Sequence, residues 1–120
     1  FKVIEVHFGS AAHDPNAYDL IVTEMYAEAG ETIKGIQVVD PPNELEVDLT
    51  ARKWKWVNRS GKTIKRLVDK DEFKKEYGRS PDDGDGFVLC AAPPHIFTEI
   101  EKKLEVGTGR VVTTDQLGLT

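Results

Sequence analysis

Residues 78–92 read GRSPDDGDGFVLCAA. Ser80-Pro81 predicts a helix start, with serine as N-cap and proline at the first helical position, where its missing N–H costs nothing. Asp82, Asp83 and Asp85 then fall in the first turns, where unpaired N–H groups favour negative charge by ~0.3–1 kcal/mol each. That effect does not explain the spacing. Asp82 and Asp85 are three apart and share a helix face,. Two carboxylates converging on one face are what a hard cation such as Mg2+ needs. Gly84 and Gly86 each cost ~0.8–1 kcal/mol relative to alanine inside a helix, and each permits close backbone approach to a ligand or another element. A calcium loop with its glycine at 86 would need acids where Pro81 and Ala92 stand, so that reading fails.

Immediately upstream, Asp71 to Tyr77 predicts a short helix that stops at Gly78,. Before it lies the best hairpin in the chain. Lys53-Trp54-Lys55-Trp56-Val57 faces Thr63 to Val68 across Asn58-Arg59-Ser60-Gly61, with β-branched and aromatic residues flanking a glycine-containing turn. Trp54 and Trp56 share one strand face, with Lys53, Lys55 and Lys65 expected to point elsewhere. The expected role of the indoles is core or cross-strand packing; stacking on a base is the alternative.

Toward the N-terminus, Phe1, Val3, Ile4, Val6 and Phe8 form a run apolar on both sides, which predicts a buried sheet strand,. Asp14-Pro15 predicts the start of a helix running to about Ala29, with Tyr18, Ile21, Val22, Met25 and Ala29 on its apolar face,. Ile36 to Val39 is expected as a short strand and Glu44 to Thr50 as a short helix. Beyond Pro93-Pro94, His95 to Val106 predicts an amphipathic helix, and 107–120 a tail with some β character. Because Phe1 opens a strand-like run without lead-in, the chain is expected to be the back part of something longer. A strand so exposed should find a neighbour, in a second copy or in the tail at Arg110 to Thr114.

The 120 residues are 39% apolar and 31% charged, a composition for one domain with a real core,. No apolar run approaches the ~20 residues of a membrane-spanning helix, and FKVIEVHFGS has neither the basic start nor the cleavage site of a signal peptide,. A lone cysteine, Cys90, excludes an internal disulfide and a cysteine-based zinc site, and a reducing compartment is the default,. Cys90 lies on an apolar run and is expected to be a buried thiol. His7, His13 and His95 show no ligand spacing,. The net charge of −5 hides a split: residues 52–79 carry +7 and the remainder −12. A concentrated basic segment suits a phosphate backbone; a solvated hairpin edged with lysines is the plainer explanation.

Taken together, GRSPDDGDGFVLCAA resembles the GRSPDLADALALA-type motif that closes the nuclease domain of tailed-phage terminase large subunits. Three other segments agree in order. VIEVHFGSAAHDPNAY resembles a strand and loop of the form V-x-x-V-x-F-G-x-x-A-x-D-x-x-x-Y. Thr23-Glu24-Met25 falls where the family has an Arg-Glu-Met-like helix segment. Lys70-Asp71-Glu72-Phe73-Lys74-Lys75 resembles the K-x-D-x-K-x-R run before GRSPD. The resemblance covers roughly residues 1–92, the C-terminal part of the nuclease domain, with 93–120 as its last helix and tail. It implies an α+β chain of α/β type: a partial RNase H-like fold with a buried N-terminal strand, a β-hairpin and three to four helices.

The function so implied is metal-dependent cutting of concatemeric DNA for packaging. The cofactor is Mg2+ or Mn2+ in a two-metal site, and the location is the host bacterial cytoplasm. Double-stranded DNA and the remainder of the large subunit are the expected partners, then the small subunit and the portal; no membrane is expected. By its place in the motif Asp85 is the metal-ligating, catalytic acid and Asp82 its helper. Asp83, Gly84, Gly86 and Phe87 depart from the family pattern. Lys53, Lys55, Arg59, Lys62, Lys65, Lys70 and Arg79 are the expected DNA contacts. The family's earlier acids and its phosphate loop have no counterpart here, so the chain alone is expected to be inactive. The alternative is a non-enzymatic binding or assembly module that forms a homodimer through exposed strand edges.

Overall fold

A computed structural model describes residues 2–98, 100–101 and 111–113. Its order is β1 (Lys2–Ile4), α1 (Ile21–Thr32), α2 (Asn43–Ala51), β2 (Trp54–Arg59), β3 (Lys62–Leu67), α3 (Lys70–Tyr77), α4 (Asp82–Ala91) and β4 (Val111–Thr113). Short 3-10 turns follow α1 at Ile33–Gly35 and α4 at Pro94–Phe97. The chain is thus α+β, with two separate two-stranded antiparallel sheets among the described residues, β1 with β4 and β2 with β3. None of the described helices is long and apolar enough to cross a membrane.

The β2–β3 hairpin forms as expected but turns more tightly. Ser60 and Gly61 both take positive φ, 53° and 77°, which closes a two-residue turn of the primed kind whose twist matches the strands. Asn58 and Arg59 therefore belong to the ladder, paired with Thr63 and Lys62. The register sets Trp54 opposite Leu67 and Trp56 opposite Lys65. Lys65 thus shares the tryptophan face instead of pointing away from it. That face is open at Trp56, which is 69% exposed, and closes at Leu67, which is buried; neither indole enters the core, but the cross-strand half of the expectation holds at Trp54, whose ring carries the Lys65 ammonium. The opposite face sends Ile64 into the interior.

The N-terminal run is paired only over Lys2–Ile4, against the tail strand, with Val3 opposite Val112. The tail at 111–113 does supply the expected neighbour. The run is one-sided, however. Val3 is exposed and Ile4, Val6 and Phe8 are half-buried, because a two-stranded ribbon covers one face where a central sheet would cover two.

Asp14-Pro15 begins a turn, not the helix. The Asp14 carbonyl accepts from Ala17 and Tyr18 N–H, and its side chain accepts from Asn16 N–H, a local pattern that competes with helix formation. This loop then lies along β3, exchanging Asp19 N–H to Lys65 O (3.0 Å) and Lys65 N–H to Ala17 O (2.9 Å). The helix starts only at Ile21 and runs past Gly30 to Thr32. Residues 36–39 form no strand and Val39 is 74% exposed. Helices α2 and α3 lie where expected, and α3 ends at Gly78 in the left-handed conformation (φ 72°),. Beyond Pro94–Phe97, helical backbone is described at 98 and 100–101, and the rest of the expected 95–106 helix lies outside the described residues.

The core gathers Ile21, Met25, Tyr26 and Ala29 of α1 with Leu67, Val88, Ala92 and Ile96. Helix α4 packs on both α1 and α2. At the α2 contact a Cβ on Gly84 would stand 2.6 Å from Asp48 Cβ and 3.0 Å from Tyr26 Oη. Gly84 therefore admits another element, one of the two uses open to it. Gly86 has nothing within 4 Å of that position. Cys90 is exposed, not buried: the α4 face carrying Leu89 and Cys90 turns to solvent while Val88 packs inward.

Candidate functional site

Asp85 sits in the first turn of α4 with its carboxylate nearly buried. Tyr26 Oη donates to Oδ1 at 2.8 Å. Arg52 Nη1 stands 3.6 Å from the same oxygen and donates to Tyr26 Oη at 3.3 Å. Lys70 Nζ pairs with Oδ2. Arg52 also donates to Val68 O at 3.2 Å, and its guanidinium lies 5.0 Å from the Tyr26 ring centre. The Lys70 ammonium lies 5.5 Å from the Phe8 ring centre. Burial, followed by the hydrogen bond and the charge of Asp85, pushes the Tyr26 phenol far above its ordinary range, and Arg52 offsets only part of this,. Tyr26 thus stays protonated and acts as a donor. One anion is held by two cations, leaving a local surplus of positive charge.

Two further buried aspartates are treated alike. Asp48 of α2 accepts the Gly84 N–H on Oδ2 at 2.9 Å and Arg79 Nη1 on Oδ1 at 2.7 Å. The N-terminus of α4 is therefore capped from another helix. Ser80 is not its N-cap: Pro81 occupies that position without a side-chain bond, and Asp48 satisfies the free N–H that Ser80 was expected to take. Asp19 pairs with Arg59 Nη2 and, at 3.3 Å, with Arg66 Nε.

The expected site residues separate accordingly. Asp82 is exposed while Asp85, three residues on, is buried. Of the expected DNA contacts, Arg59, Lys70 and Arg79 hold the three buried aspartates, and Lys53 pairs with Glu76 at 3.7 Å. Lys62 donates to Asn16 Oδ1 at 2.6 Å, and the Lys65 ammonium lies 4.4 Å from the Trp54 ring centre. Lys55, Lys62, Lys65, Lys74 and Lys75 face no acid among the described residues. Much of the basic segment is therefore taken up by internal charge; of the remaining lysines Lys65 lies beside the tryptophans, Lys55 and Lys62 are on the other face of the hairpin, and Lys74 and Lys75 are on α3.

Sequence reasoning missed Arg52, Tyr26, Asp19 and Asp48 as parts of these clusters. One signal was readable: Glu24 falls inside the helical stripe of Ile21 and Met25, where a charge must find partners. It does so by accepting the backbone N–H groups of His13 (2.7 Å) and Asp14 (3.0 Å).

A metal pair of the implied kind would have to draw on these donors. Both Asp85 oxygens already serve Tyr26, Arg52 and Lys70, Asp82 stands apart in solvent, and no three acidic, histidine or cysteine side chains are grouped as ligands among the described residues. The residues present do not by themselves fit a two-metal centre. Compared with known proteins, the chain matches no family model, no curated protein and no solved structure.

Proposed function

We propose that the chain is the C-terminal part of a terminase-type nuclease domain with an RNase H-like fold. On this reading it lends Asp85 and a duplex-facing lysine surface to an endonuclease whose other acids come from the rest of the large subunit. The observation that carries the reading is convergence. Two of the four segments resembling the family meet at the Asp85 carboxylate, a third is followed directly by the residue that donates to it, and the fourth reaches the Lys70 that pairs with it. Asp85 comes from α4 and Lys70 from the run before it. Tyr26 lies just beyond Thr23-Glu24-Met25, and Phe8 under Lys70 comes from the N-terminal strand and loop. A carboxylate held by two cations in a nearly dry setting is expensive to maintain.

In this reading Lys70 and Arg52 balance the charge of Asp85, and Tyr26 fixes the orientation of its carboxylate. Asp82 serves as helper from the solvent side. No step is assigned to metal, since the described donors fall short of a two-metal set. Incubated with supercoiled plasmid and Mg2+ or Mn2+, the purified chain is expected to leave the DNA intact. Metal-dependent nicking that disappears in Asp85→Asn would overturn the claim that this chain holds only a share of the catalytic acids.

The β1–β4 sheet, which pairs with no third strand among the described residues, and the open Trp56 favour a second reading, an assembly module that forms a homodimer without cutting or holding DNA,. The two readings part on duplex binding.

A further inference from the structure

The β2–β3 hairpin carries a surface that the Asp85 cluster does not use. Trp54, Trp56 and Asn58 of β2 stand opposite Leu67, Lys65 and Thr63 of β3. Strand side chains repeat every two residues, so these share one face. Its root is closed by the buried Leu67, and beyond it Trp54 is 38% exposed and Trp56 mostly exposed. Lys65, directly across from Trp56, reaches back along the ladder to bring its ammonium 4.4 Å from the Trp54 ring centre. Asn58 and Thr63 are exposed at the turn end, and no residue of this face is acidic. The opposite face is already engaged: Ile64 packs inward, and Arg59 and Arg66 hold the buried Asp19.

We propose that this tryptophan face binds single-stranded nucleic acid, with an unpaired base stacked on Trp56 and an adjoining phosphate held by Lys65. An indole offers a flat ring that stacks on any base. In a duplex the base faces are covered by their neighbours, so the ring takes only a base that is free of its pair and stack. Lys65 supplies positive charge for the backbone, and no carboxylate on the face opposes a phosphate,. Asn58 and Thr63 offer hydrogen bonds to a base edge at the turn end. A second copy of the chain fits less well. Two such faces laid together about a two-fold axis bring Lys65 toward Lys65, with no acid on the face to pair with either,. On the reading that the chain works on DNA, on which this proposal rests, the outward lysines hold paired DNA and this face takes unpaired stretches. Lys55 and Lys62 lie on the other face of the hairpin, so the two surfaces can be altered separately.

Titration of the full chain with a labelled oligothymidylate of about 12 nucleotides, against a duplex of the same length, tests this by anisotropy. Both tryptophans of the chain lie on this face, so intrinsic fluorescence reports it directly. The single strand is expected to bind and to quench that fluorescence. Trp56→Ala should weaken single-strand binding by about tenfold, as for loss of one stacked base, and leave duplex affinity unchanged. Trp56→Phe, which keeps a ring, should retain most of the binding. Trp56 is largely in solvent, so these variants are expected to fold, with far-ultraviolet circular dichroism as the check. Duplex binding that persists while Trp56→Ala leaves the single-strand affinity unchanged would overturn this proposal and spare the duplex reading. Single-strand binding that depends on Trp56, with no duplex binding, would uphold this face and count against that reading. A dimer by light scattering that Trp56→Ala turns into a monomer would assign the face to a second copy and overturn the proposal.

Discussion

Asp85→Ala is expected to destabilise the fold by about 3–5 kcal/mol, the cost of breaking a buried ion pair by removing one partner. The carboxylate receives Tyr26, Arg52 and Lys70, and Arg52 is only 8% exposed. Removing the anion leaves a largely buried guanidinium without its counter-charge and the Tyr26 hydroxyl without its acceptor. A small domain has roughly 5–15 kcal/mol of stability in total, so a large part of it depends on this one group. Asp82→Ala, three residues earlier on the exposed side, should stay within about 0.5 kcal/mol of wild type. Urea unfolding of the two variants at constant m-value reads the contrast. Equal midpoints would mean that the Asp85 cluster contributes nothing net to folding. The same contrast bears on function: lost activity in any Asp85 variant must be compared with its folded fraction before it is assigned to chemistry.

The glycines of α4 should respond in opposite directions. Gly84→Ala places a methyl 2.6 Å from Asp48 Cβ, a distance that two packed helices cannot hold. Separating them also stretches the Asp48 cap on the residue 84 N–H, at 2.9 Å. Overpacking of this kind costs about 1–3 kcal/mol, and loss of a cap adds ~0.5–2 kcal/mol. Gly86→Ala meets open space and should stabilise by about 0.8–1 kcal/mol, the helix propensity difference. Thermal melts of the two single variants separate the effects. Destabilisation by Gly86→Ala, or tolerance of Gly84→Ala, would contradict the packing described for α2 against α4.

Local elements were legible where local chemistry decides them. The β2–β3 hairpin, α2, α3 with its Gly78 stop, and the body of α4 all follow from strand, turn and capping preferences in a few adjacent residues. What failed were boundaries set at a distance. Asp14-Pro15 carries a helix-start signature, but the loop after it is captured by β3 through Lys65. Ser80 carries an N-cap signature, but Asp48 arrives from another helix to do that work. The candidate site was half legible. Asp85 stands out in its motif, yet nothing local says that its carboxylate turns inward while that of Asp82 turns out. Nor does spacing reveal that Arg59, Arg66, Lys70 and Arg79 are consumed by Asp19, Asp85 and Asp48. A net charge counts cations without saying which face inward.

Internal pairing makes the lysine surface the decisive point. If the chain belongs to a DNA-cutting machine, Lys55, Lys62, Lys65, Lys74 and Lys75 must still hold a duplex after the buried aspartates have taken their share. Binding of a labelled duplex, followed by fluorescence anisotropy across a salt series, measures this directly. The account predicts that log K falls linearly with log salt at a slope of about −3 to −5, as for some three to five phosphate contacts. It also predicts that Lys55→Glu with Lys62→Glu weakens binding and flattens the slope, whatever the duplex sequence. No binding near physiological salt, or an affinity indifferent to salt, would contradict it and leave the assembly module as the better reading.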